Sequence, residues 1–508
     1  MNPGAFGENV QLASTTGSSS SLKTVTASLL PSCAGVTSTT QCSWATTCPC
    51  EAGSGCPSTS RFYVDGANWV IDHMDVSSQV TNTLGIWFEN SSDPGASSKA
   101  TDNTAQYNYV HELCSQGIQA DKSTSHISIL NNVVYHAETV GILLDGSNSL
   151  VQCNDISGTE DDPQLDGGIY AGCAAEDTPA NADADAIRYF GSNQEIKENY
   201  LHNINISWAA GGPSAGVETP HTDCFQSYTS GGRTAASNVT IERNKCIWPQ
   251  PYYVASGNTA TSSCTAPGAP FPCCTGRGTG CSLDLPSMCT GAGAPFSYCT
   301  GAGTGGIDFS SYTGENHYGE NAQNTGLVTF KNNIFVNGKQ GIDFESTTAG
   351  PIALLNNTFD HAAMEQIIFD GTPVAGTLIE NNVFYDQNDE GNPLEYGAVG
   401  VWYTGSTTNV TFVKNDCYLR STESCADPAG VTSLRVAPGF ISCGSLTGTS
   451  ISGVLQQGVT GANYHLTSGS ELIEAGLNLQ SSGVINDYPG NARPATANFA
   501  VGAYELTQ

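Results

Sequence analysis

Positive charge is scarce in this sequence: 16 Lys and Arg stand against 47 Asp and Glu, a formal net charge of −31 over 508 residues. Such a surface repels nucleic acid and anionic membranes and attracts Ca²⁺, so we expect no nucleic-acid partner. It also disfavours a polyanionic substrate unless a metal intervenes. Apolar runs of transmembrane length and amphipathic helical patterns are missing as well, which argues against membrane insertion and for an all-β chain.

Cysteine, in contrast, is abundant, with 19 residues that are densest at 33–56 and 264–299. This density favours an oxidising compartment, and we expect a secreted or cell-surface protein. No signal peptide is recognised, so we expect a mature form with an added Met or another export route. Cys48-Pro-Cys50 and the adjacent Cys273 and Cys274 have poor zinc spacing, which favours disulfides over metal. The odd count leaves one Cys free or paired between chains, so self-association stays open.

From about residue 61 the chain repeats a two-part pattern. The first part is an apolar residue, an Asn three positions on, and an apolar residue two further. An Asn at one fixed place predicts an internal ladder, in which each amide hydrogen-bonds the next coil at a turn. The predicted ladder residues are Asn132, Asn154, Asn199, Asn244, Asn333, Asn357, Asn382 and Asn415, with weaker copies at Asn108 and Asp72.

The second part of the repeat is a short strand, usually Gly-Ile-x-apolar. Alternation predicts that its second and fourth residues point inward and its third outward. The shortest repeats, 24 and 25 residues, have the length of a three-strand coil. The strands begin at Gly85, Gly117, Gly141, Ala186, Cys224, Gly306, Gly341, Gln366 and Gly400.

This pattern resembles the right-handed parallel β-helix superfamily, which includes pectate-lyase-like, polygalacturonase-like and alginate-epimerase-like proteins. The resemblance covers roughly residues 61–425 and implies a solenoid of about ten or more coils. Tyr464–Gly476, Asp487–Pro494 and Val501–Glu505 resemble the closing segment of secreted bacterial β-helix proteins. Such a segment is expected to cap strand edges and core that a solenoid leaves open.

Three segments are therefore predicted. Residues 1–60 form a Cys-rich N-terminal arm or cap, residues 61–425 the parallel β-helix, and residues 426–508 the C-terminal cap segment. Within the β-helix, residues 255–305 are a Cys- and Gly-rich insertion that contains an internal repeat with a 25-residue offset. We expect this insertion to form a loop held by disulfides.

Two stretches, Asp183-Ala-Asp-Ala-Ile-Arg188 and Pro220-His-Thr-Asp-Cys-Phe-Gln226, align as one strand on consecutive coils. The alignment sets Ile187 beside Phe225, and equivalent positions on neighbouring parallel strands lie ~4.8 Å apart. Stacked like charges destabilise a sheet, which makes the resulting cluster a functional candidate. The predicted catalytic residues are Asp185, Asp223, His221 and Arg188, and Asp183, Asp185 and Asp223 are the candidate Ca²⁺ ligands, although no cofactor is required.

Polar and aromatic residues line the outward positions of the same strands. A row of this length suits an extended glycan, since aromatic faces stack on sugar rings and carboxylates bind hydroxyls. The predicted substrate-binding residues are Gln226, Asp308, Asp343, Trp87, Trp402 and Tyr228. The expected partner is a polysaccharide or other glycan.

Three chemistries fit the cluster. In a hydrolase, our first hypothesis, one carboxyl is the general acid and the other the nucleophile or base. Asp185 and Asp223 provide a close pair, and Asp223 with Asp308 or Asp343 a wider one. In a lyase, Ca²⁺ neutralises a uronate while Arg188 or His221 abstracts a proton. An epimerase uses the same base, and Pro220-His-Thr-Asp223 is similar in composition to the alginate-epimerase motif, in another order.

A non-enzymatic surface protein is the rival from another class: an adhesin, an extracellular appendage subunit or a phage spike. The odd Cys count and the Cys- and Gly-rich insertion favour it. Five histidines at turns or strand edges are interpreted as structural: His111, His126, His136, His202 and His361.

Overall fold

The computed structural model describes the chain in the following stretches. They are residues 5–12, 22–26, 58–78, 84–89, 100–159, 185–202, 221–228, 232–247, 252–253, 315–321, 324–338, 340–345, 349–360, 362, 365–385, 400–419, 427–429, 431–451 and 454–506.

Within these stretches the secondary structure is β, apart from one 3-10 helix at Gln480–Ser482. The strands up to residue 260 are β1 Ala5–Leu12, β2 Lys23–Thr26, β3 Ser58–Val64, β4 Trp69–Asp72, β5 Asp75–Ser78, β6 Ile86–Phe88, β7 Thr104–Gln106, β8 Tyr109–Leu113, β9 Gln116–Ala120, β10 Ser128–Leu130, β11 Val133–Ala137, β12 Val140–Leu144, β13 Leu150–Gln152, β14 Asp155–Ser157, β15 Asp185–Tyr189, β16 Glu195–Lys197, β17 Tyr200–His202, β18 His221–Ser227, β19 Val239–Glu242, β20 Lys245–Ile247 and β21 Tyr252–Tyr253. The later strands are β22 Glu315–Asn321, β23 Val328–Lys331, β24 Ile334–Val336, β25 Gln340–Phe344, β26 Ile352–Leu355, β27 Thr358–Asp360, β28 Ile367–Phe369, β29 Thr377–Glu380, β30 Val383–Tyr385, β31 Val401–Tyr403, β32 Val410–Val413, β33 Asp416–Tyr418, β34 Phe440–Ser442, β35 Ser445–Ile451, β36 Val454–Thr460 and β37 Asn463–Leu466.

The chain divides into two compact units. Unit 1 comprises Met1–Cys246, Gly319–Thr329 and Thr347–Pro351, and unit 2 comprises Ile247–Tyr318, Phe330–Ser346 and Ile352–Gln508.

Unit 1 is a right-handed parallel β-helix whose coils each contribute one strand to each of three parallel sheets, as the resemblance implied; the second and third sheets are joined through β3, which pairs with both β5 and β6. The first sheet contains β4, β7, β10, β13, β16 and β19, the second β5, β8, β11, β14 and β17, and the third β6, β9, β12, β15 and β18. Parallel pairing already includes β1, which lies beside β3, and β2, which lies beside β4. The described part of the N-terminal arm therefore joins the β-helix sheets.

The predicted Asn ladder is present at the corner between the first and second sheets. In unit 1 the side chains of Asn108, Asn132, Asn154, Asn199 and Asn244 are buried and bond to one another at 2.9–3.0 Å. Each amide also donates to a carbonyl of the preceding coil, as from Asn132 to Ala105. The residue before each ladder Asn has a positive φ, which turns the chain through the corner. Backbone groups that face no water are thereby paired.

One member of the predicted ladder is wrong. Ile71 pairs with Ala105, so Met74 occupies the position that Asn108 has in the next coil. Asp72 instead lies beside Gln106 and accepts hydrogen bonds from Thr26 and Gln106. The sequence pattern placed Trp69 at the apolar repeat position that Ile71 occupies, so the predicted register of this coil was wrong by two residues.

Unit 2 repeats the same architecture with β26, β29 and β32 in the first sheet, β24, β27, β30 and β33 in the second, and β25, β28 and β31 in the third. Its ladder runs through Asn333, Asn357, Asn382 and Asn415. Inward phenyl rings stack between coils, as at Phe335, Phe359 and Phe384. The internal ladders that alternation predicted for the third sheet are also present, since the rings of Phe344, Phe369 and Tyr403 stack from coil to coil.

The C-terminal segment packs along successive corners of unit 2. Asn332 binds the carbonyl of Asn486, Asn356 binds those of Ala500 and Gly502, and Asn381 binds that of Leu477. Leu434 forms a parallel bridge with Asp416 at the edge of β33. The segment therefore contacts the side of unit 2 as well as its last described coil.

Candidate functional site

The outward row predicted for the third sheet exists in unit 1, in the predicted order. On β3, β6, β9, β12, β15 and β18 the row consists of consecutive in-register partners, which are Tyr63, Trp87, Gln119, Leu143, Arg188 and Gln226. At ~4.8 Å for each step, the row is roughly 24 Å long. We call this surface the third-sheet face.

The predicted alignment of the two key strands is confirmed, because Ile187 pairs with Phe225 and Arg188 with Gln226. Asp185 and Asp223 meet through the main chain: the Asp223 N–H donates to Asp185 Oδ1 at 2.8 Å. Arg188 Nε donates to Asp185 Oδ2 at 2.5 Å. One oxygen of Asp185 therefore accepts from a donor on its own strand, β15, and the other from a donor on the neighbouring strand, β18.

The cluster is less open than expected for an outward patch. Asp185 and Asp223 are 0% exposed and Arg188 is 8% exposed. Asp185 pairs with Val140, which packs with Leu143 and Phe190 on the same side of the sheet. Apolar side chains on the outer side thus accompany the charged group, a feature that alternation alone does not reveal.

Aromatic residues hold the arginine from the other side. The Arg188 guanidinium lies over the Tyr228 ring, 5.6 Å from its centroid, and Nη1 is 3.4 Å from the Tyr228 hydroxyl. Phe190 meets Tyr228 edge to face, with ring centroids 5.0 Å apart. Arg188 is thereby fixed between a carboxylate and a phenol ring, with Gln226 buried beside it.

A second charged pair on this face was not among the predicted site residues. Asp145 is 3% exposed and accepts from the Thr234 N–H at 3.2 Å and from Arg233 Nη1 at 3.5 Å. Burial raises the pKa of the Asp145 carboxyl, while the Thr234 N–H and the Arg233 charge oppose this rise. Arg233 also lies over the Phe190 ring at 5.5 Å. Only the outward position of Asp145 signals this pair in the sequence, since Arg233 follows it by 88 residues.

The opposite end of the row is aromatic. Tyr63 and Trp87 have ring centroids 4.7 Å apart, and the Arg61 guanidinium lies 5.2 Å from the Tyr63 ring centroid. Trp87 is half-buried between the inward residues Ile86 and Phe88. Trp87 stays a predicted substrate-binding residue.

The remaining predicted residues lie in unit 2, at the start of β18 in unit 1, or outside the described residues. In unit 2, Asp343 pairs with Ile368 and Ile368 with Trp402, so this part of the outward row also has the predicted register. His221 begins β18, two residues before Asp223. Asp183 and Asp308 lie outside the described residues, as does the insertion at 255–305.

One of the candidate calcium ligands, Asp185, already has a positively charged partner. A Ca²⁺ on Asp185 would compete with the Arg188 guanidinium, which already neutralises that carboxylate at 2.5 Å. Among the described residues, no group of three or more His, Cys, Asp or Glu side chains is arranged to hold a metal. Asp183, the third candidate ligand, lies outside the described residues, so the three-carboxylate calcium set stays a prediction.

Disulfide chemistry is present near the site, as the cysteine pattern predicted. Cys224, the residue after Asp223, is bonded to Cys246 on β20. Cys114, Cys153, Cys417 and Cys443 are also disulfide-bonded. No helix in the described part of the chain is long and apolar enough to cross a membrane.

Comparison with known proteins gives a likeness of fold. No protein-family model and no curated protein sequence matches the chain. Among solved structures, the A-module of the mannuronan C-5 epimerase AlgE6 from Azotobacter vinelandii is 9% identical, with a TM-score of 0.43 over 75% of this chain and 81% of that one. The surface adhesin PfbA of Streptococcus pneumoniae is 12% identical, with a TM-score of 0.33, and the match covers 67% of this chain and 64% of the adhesin. A tailspike protein of Escherichia coli bacteriophage HK620 is 8% identical, with a TM-score of 0.36 over 80% and 79% of the two chains.

Proposed function

Because this chain is a right-handed parallel β-helix with an in-register polar and aromatic row, we propose that it is a secreted polysaccharide hydrolase that binds its substrate along the third-sheet face. One observation carries the proposal: Arg188 and the main chain of Asp223 both bind Asp185, and Arg188 lies in register with Trp87 and Tyr63 along that face. An extended row with aromatic and hydrogen-bonding groups suits a chain of sugar rings.

The two carboxylates have different roles in this proposal. Asp185 accepts from Arg188 and from the Asp223 N–H, so it positions the strand that carries Asp223. Asp223 is the reacting carboxyl, and a second carboxyl completes the hydrolytic pair. His221 stays a candidate for tuning that acid. Asp308 and Asp343 stay candidates for the second carboxyl.

Lyase or epimerase chemistry is the alternative within the enzyme class. Its proton-abstracting base would be Arg188 or His221. Arg188 donates to Asp185 and is held on Tyr228, contacts that stabilise a protonated guanidinium, so the role of base passes to His221. Calcium dependence belongs to this alternative.

A non-catalytic glycan-binding surface protein is the second candidate. The observation that favours it is the complete burial of both Asp185 and Asp223. A buried ionic cluster that joins two strands is a structural feature, and the glycan would then contact only the partly exposed Trp87, Tyr63 and Tyr228.

The test is an assay of the purified protein on neutral and uronic polysaccharides, with and without Ca²⁺. It follows reducing ends and the ultraviolet absorbance of unsaturated products together. We expect reducing ends without absorbance, and a loss of about 10²–10⁴-fold in Asp223→Asn, the usual contribution of a general acid or base. Asp102→Asn, at an exposed aspartate just before β7 of the first sheet, is the matched control and keeps its activity.

Other outcomes redirect the proposal. Absorbance that requires Ca²⁺ indicates the lyase. No product on any substrate, with Asp223→Asn changing only the free energy of unfolding, overturns the hydrolase and leaves the binding protein.

A further inference from the structure

The second sheet of unit 1 carries a constellation that the proposed function does not use. Asp75-Val-Ser77 on β5 lies beside Tyr109-Val-His111 on β8. His111 Nε2 contacts Asp75 Oδ1 at 2.8 Å, and Ser77 is the in-register partner of His111. The Tyr109 ring stacks on the His111 ring, with centroids 4.0 Å apart and planes at 20°.

The same constellation occurs a second time. Asp155-Ile-Ser157 on β14 lies beside Tyr200-Leu-His202 on β17, with Ser157 opposite His202. His202 Nε2 contacts Asp155 Oδ1 at 2.8 Å, and the Tyr200 and His202 rings are 4.1 Å apart at 21°. The same four residue types thus recur in the second copy. The Asp–His distances and the Tyr–His ring distances agree within about a tenth of an ångström.

Both copies lie on the outer side of the sheet. The intervening residues Val76, Val110, Ile156 and Leu201 are 0% exposed and point into the β-helix. The His111 and Asp75 side chains are 13% and 18% exposed, and those of His202 and Asp155 are 20% and 23% exposed. Each copy therefore offers water a carboxylate, an imidazole and the edge of a phenol ring.

The spacing of the copies is set by the coil. Asp75, Tyr109, Val133 and Asp155 are consecutive in-register partners, so the two aspartates are three coils apart. Three steps of ~4.8 Å place the copies roughly 14 Å apart along the axis of the coils. The copies differ in that the Lys245 ammonium lies 5.8 Å from the centroid of the Tyr200 ring. Two similar sites at a fixed spacing match a ligand that itself repeats, which a polymer does and a small molecule does not.

We propose that this second-sheet face is a separate binding surface for a neutral polysaccharide, with the two constellations as equivalent subsites. The Asp–His pair fixes one acceptor and one donor or acceptor for sugar hydroxyls, and the phenol ring adds an apolar edge. Exposed carboxylates on a chain of net charge −31 repel uronates, so the ligand class is neutral. Simultaneous binding at both subsites adds affinity without new contacts.

The test is migration of the intact protein in native gels that contain a neutral β-glucan, a galactomannan or alginate. His111→Gln and His202→Gln each remove one subsite, and the double variant removes both. His136→Gln is the matched control, because His136 makes the same kind of contact with Glu112 on the preceding coil but belongs to neither copy. We expect retardation by at least one neutral polysaccharide, an intermediate loss in each single variant, and a loss of about 100-fold or more in the double variant.

Three results overturn the proposal: no retardation of the natural sequence by either neutral polysaccharide, a double variant that binds as before, or an equal loss in His136→Gln. If the double variant unfolds, Ser77→Ala with Ser157→Ala removes the two hydroxyls without touching the Asp–His contacts, and binding must fall there instead. The result is independent of the hydrolase. If the polysaccharide still retards Asp223→Asn but no longer retards the double variant, the second-sheet face is a binding surface, whatever the hydrolysis assay shows.

Discussion

The outer face of the second sheet differs sharply between the two units, although the backbone pattern is the same. In unit 2 its outward residues are Ile334, Val336, Val383 and Tyr385, which are at most 1% exposed. They pack against Phe440, Tyr464, Leu472, Ala500 and Val501 of the C-terminal segment. In unit 1 the corresponding positions hold the Asp, Tyr, Ser and His residues of the two constellations, and most of these are partly exposed.

The difference shows what determines the residue types at the inward and outward positions of this repeat. Inward positions are apolar in both units because they form the core of the coil, so they do not indicate what contacts the outer face. Outward positions are apolar where the chain supplies its own cover, and polar or aromatic where it does not. Tyr464 illustrates the junction, since it packs in the apolar cluster while its hydroxyl donates to Asp360 at 2.7 Å.

The largest expected effect comes from removing a covered outward residue. Tyr385→Ala deletes a ring that meets Phe440 edge to face at 5.4 Å, so we expect unfolding to become easier by about 3–5 kcal/mol. Tyr135→Ala, at the equivalent strand position in unit 1, leaves a partly exposed site and costs about 1 kcal/mol. Urea denaturation of both variants measures the difference. Equal losses would contradict the distinction between covered and open faces.

The next largest change in the free energy of unfolding is expected at an ionisable residue buried beneath the C-terminal segment. Asp416 occupies the outward position opposite Val383, is 0% exposed, and accepts from the Val436 N–H at 3.1 Å. Burial raises the pKa of its carboxyl from 3.8 to about 7; the Val436 N–H and the Arg435 charge lower it, and Glu471 raises it. The folded chain therefore prefers the protonated form. Its contribution to stability is full at low pH and is lost as the pH rises from about 4 to 7.

Asp416→Asn removes this titration. A shift of about three pKa units corresponds to up to about 4 kcal/mol, so the variant should gain stability of that order at pH 8 and little at pH 4. Urea midpoints across this pH range measure the gain. Asp155→Asn, at the equivalent position beside His202, is the control and should gain nothing at pH 8. A pH-independent effect of Asp416→Asn would refute the assignment.

The sequence predicted the coil well and the surroundings of the site less well. Register was predictable because the Asn ladder and the Ile187–Phe225 alignment rest on short local patterns that recur in each coil, even though successive ladder asparagines are 22 to 45 residues apart. The burial of Asp185 depends on the outer residues Val140 and Phe190, and alternation treats such residues only as outward. The Asp145–Arg233 pair joins residues far apart in sequence, and no short pattern connects them.

The smallest expected difference between the two units concerns the ladder that they share. Asn357→Ala removes hydrogen bonds to Asn333, to Asn382 and to the Phe330 carbonyl, and leaves their partners buried. The expected loss is about 1–3 kcal/mol for groups left unsatisfied. Asn154→Ala removes the equivalent bonds to Asn132, Asn199 and the Ile129 carbonyl in unit 1, so it should cost the same within about 0.5 kcal/mol. Equal losses of unfolding free energy in urea denaturation would show that the stability of the corner does not depend on whether the outer faces are covered. A much larger loss in one unit would mean that the covering segment also stabilises the corner.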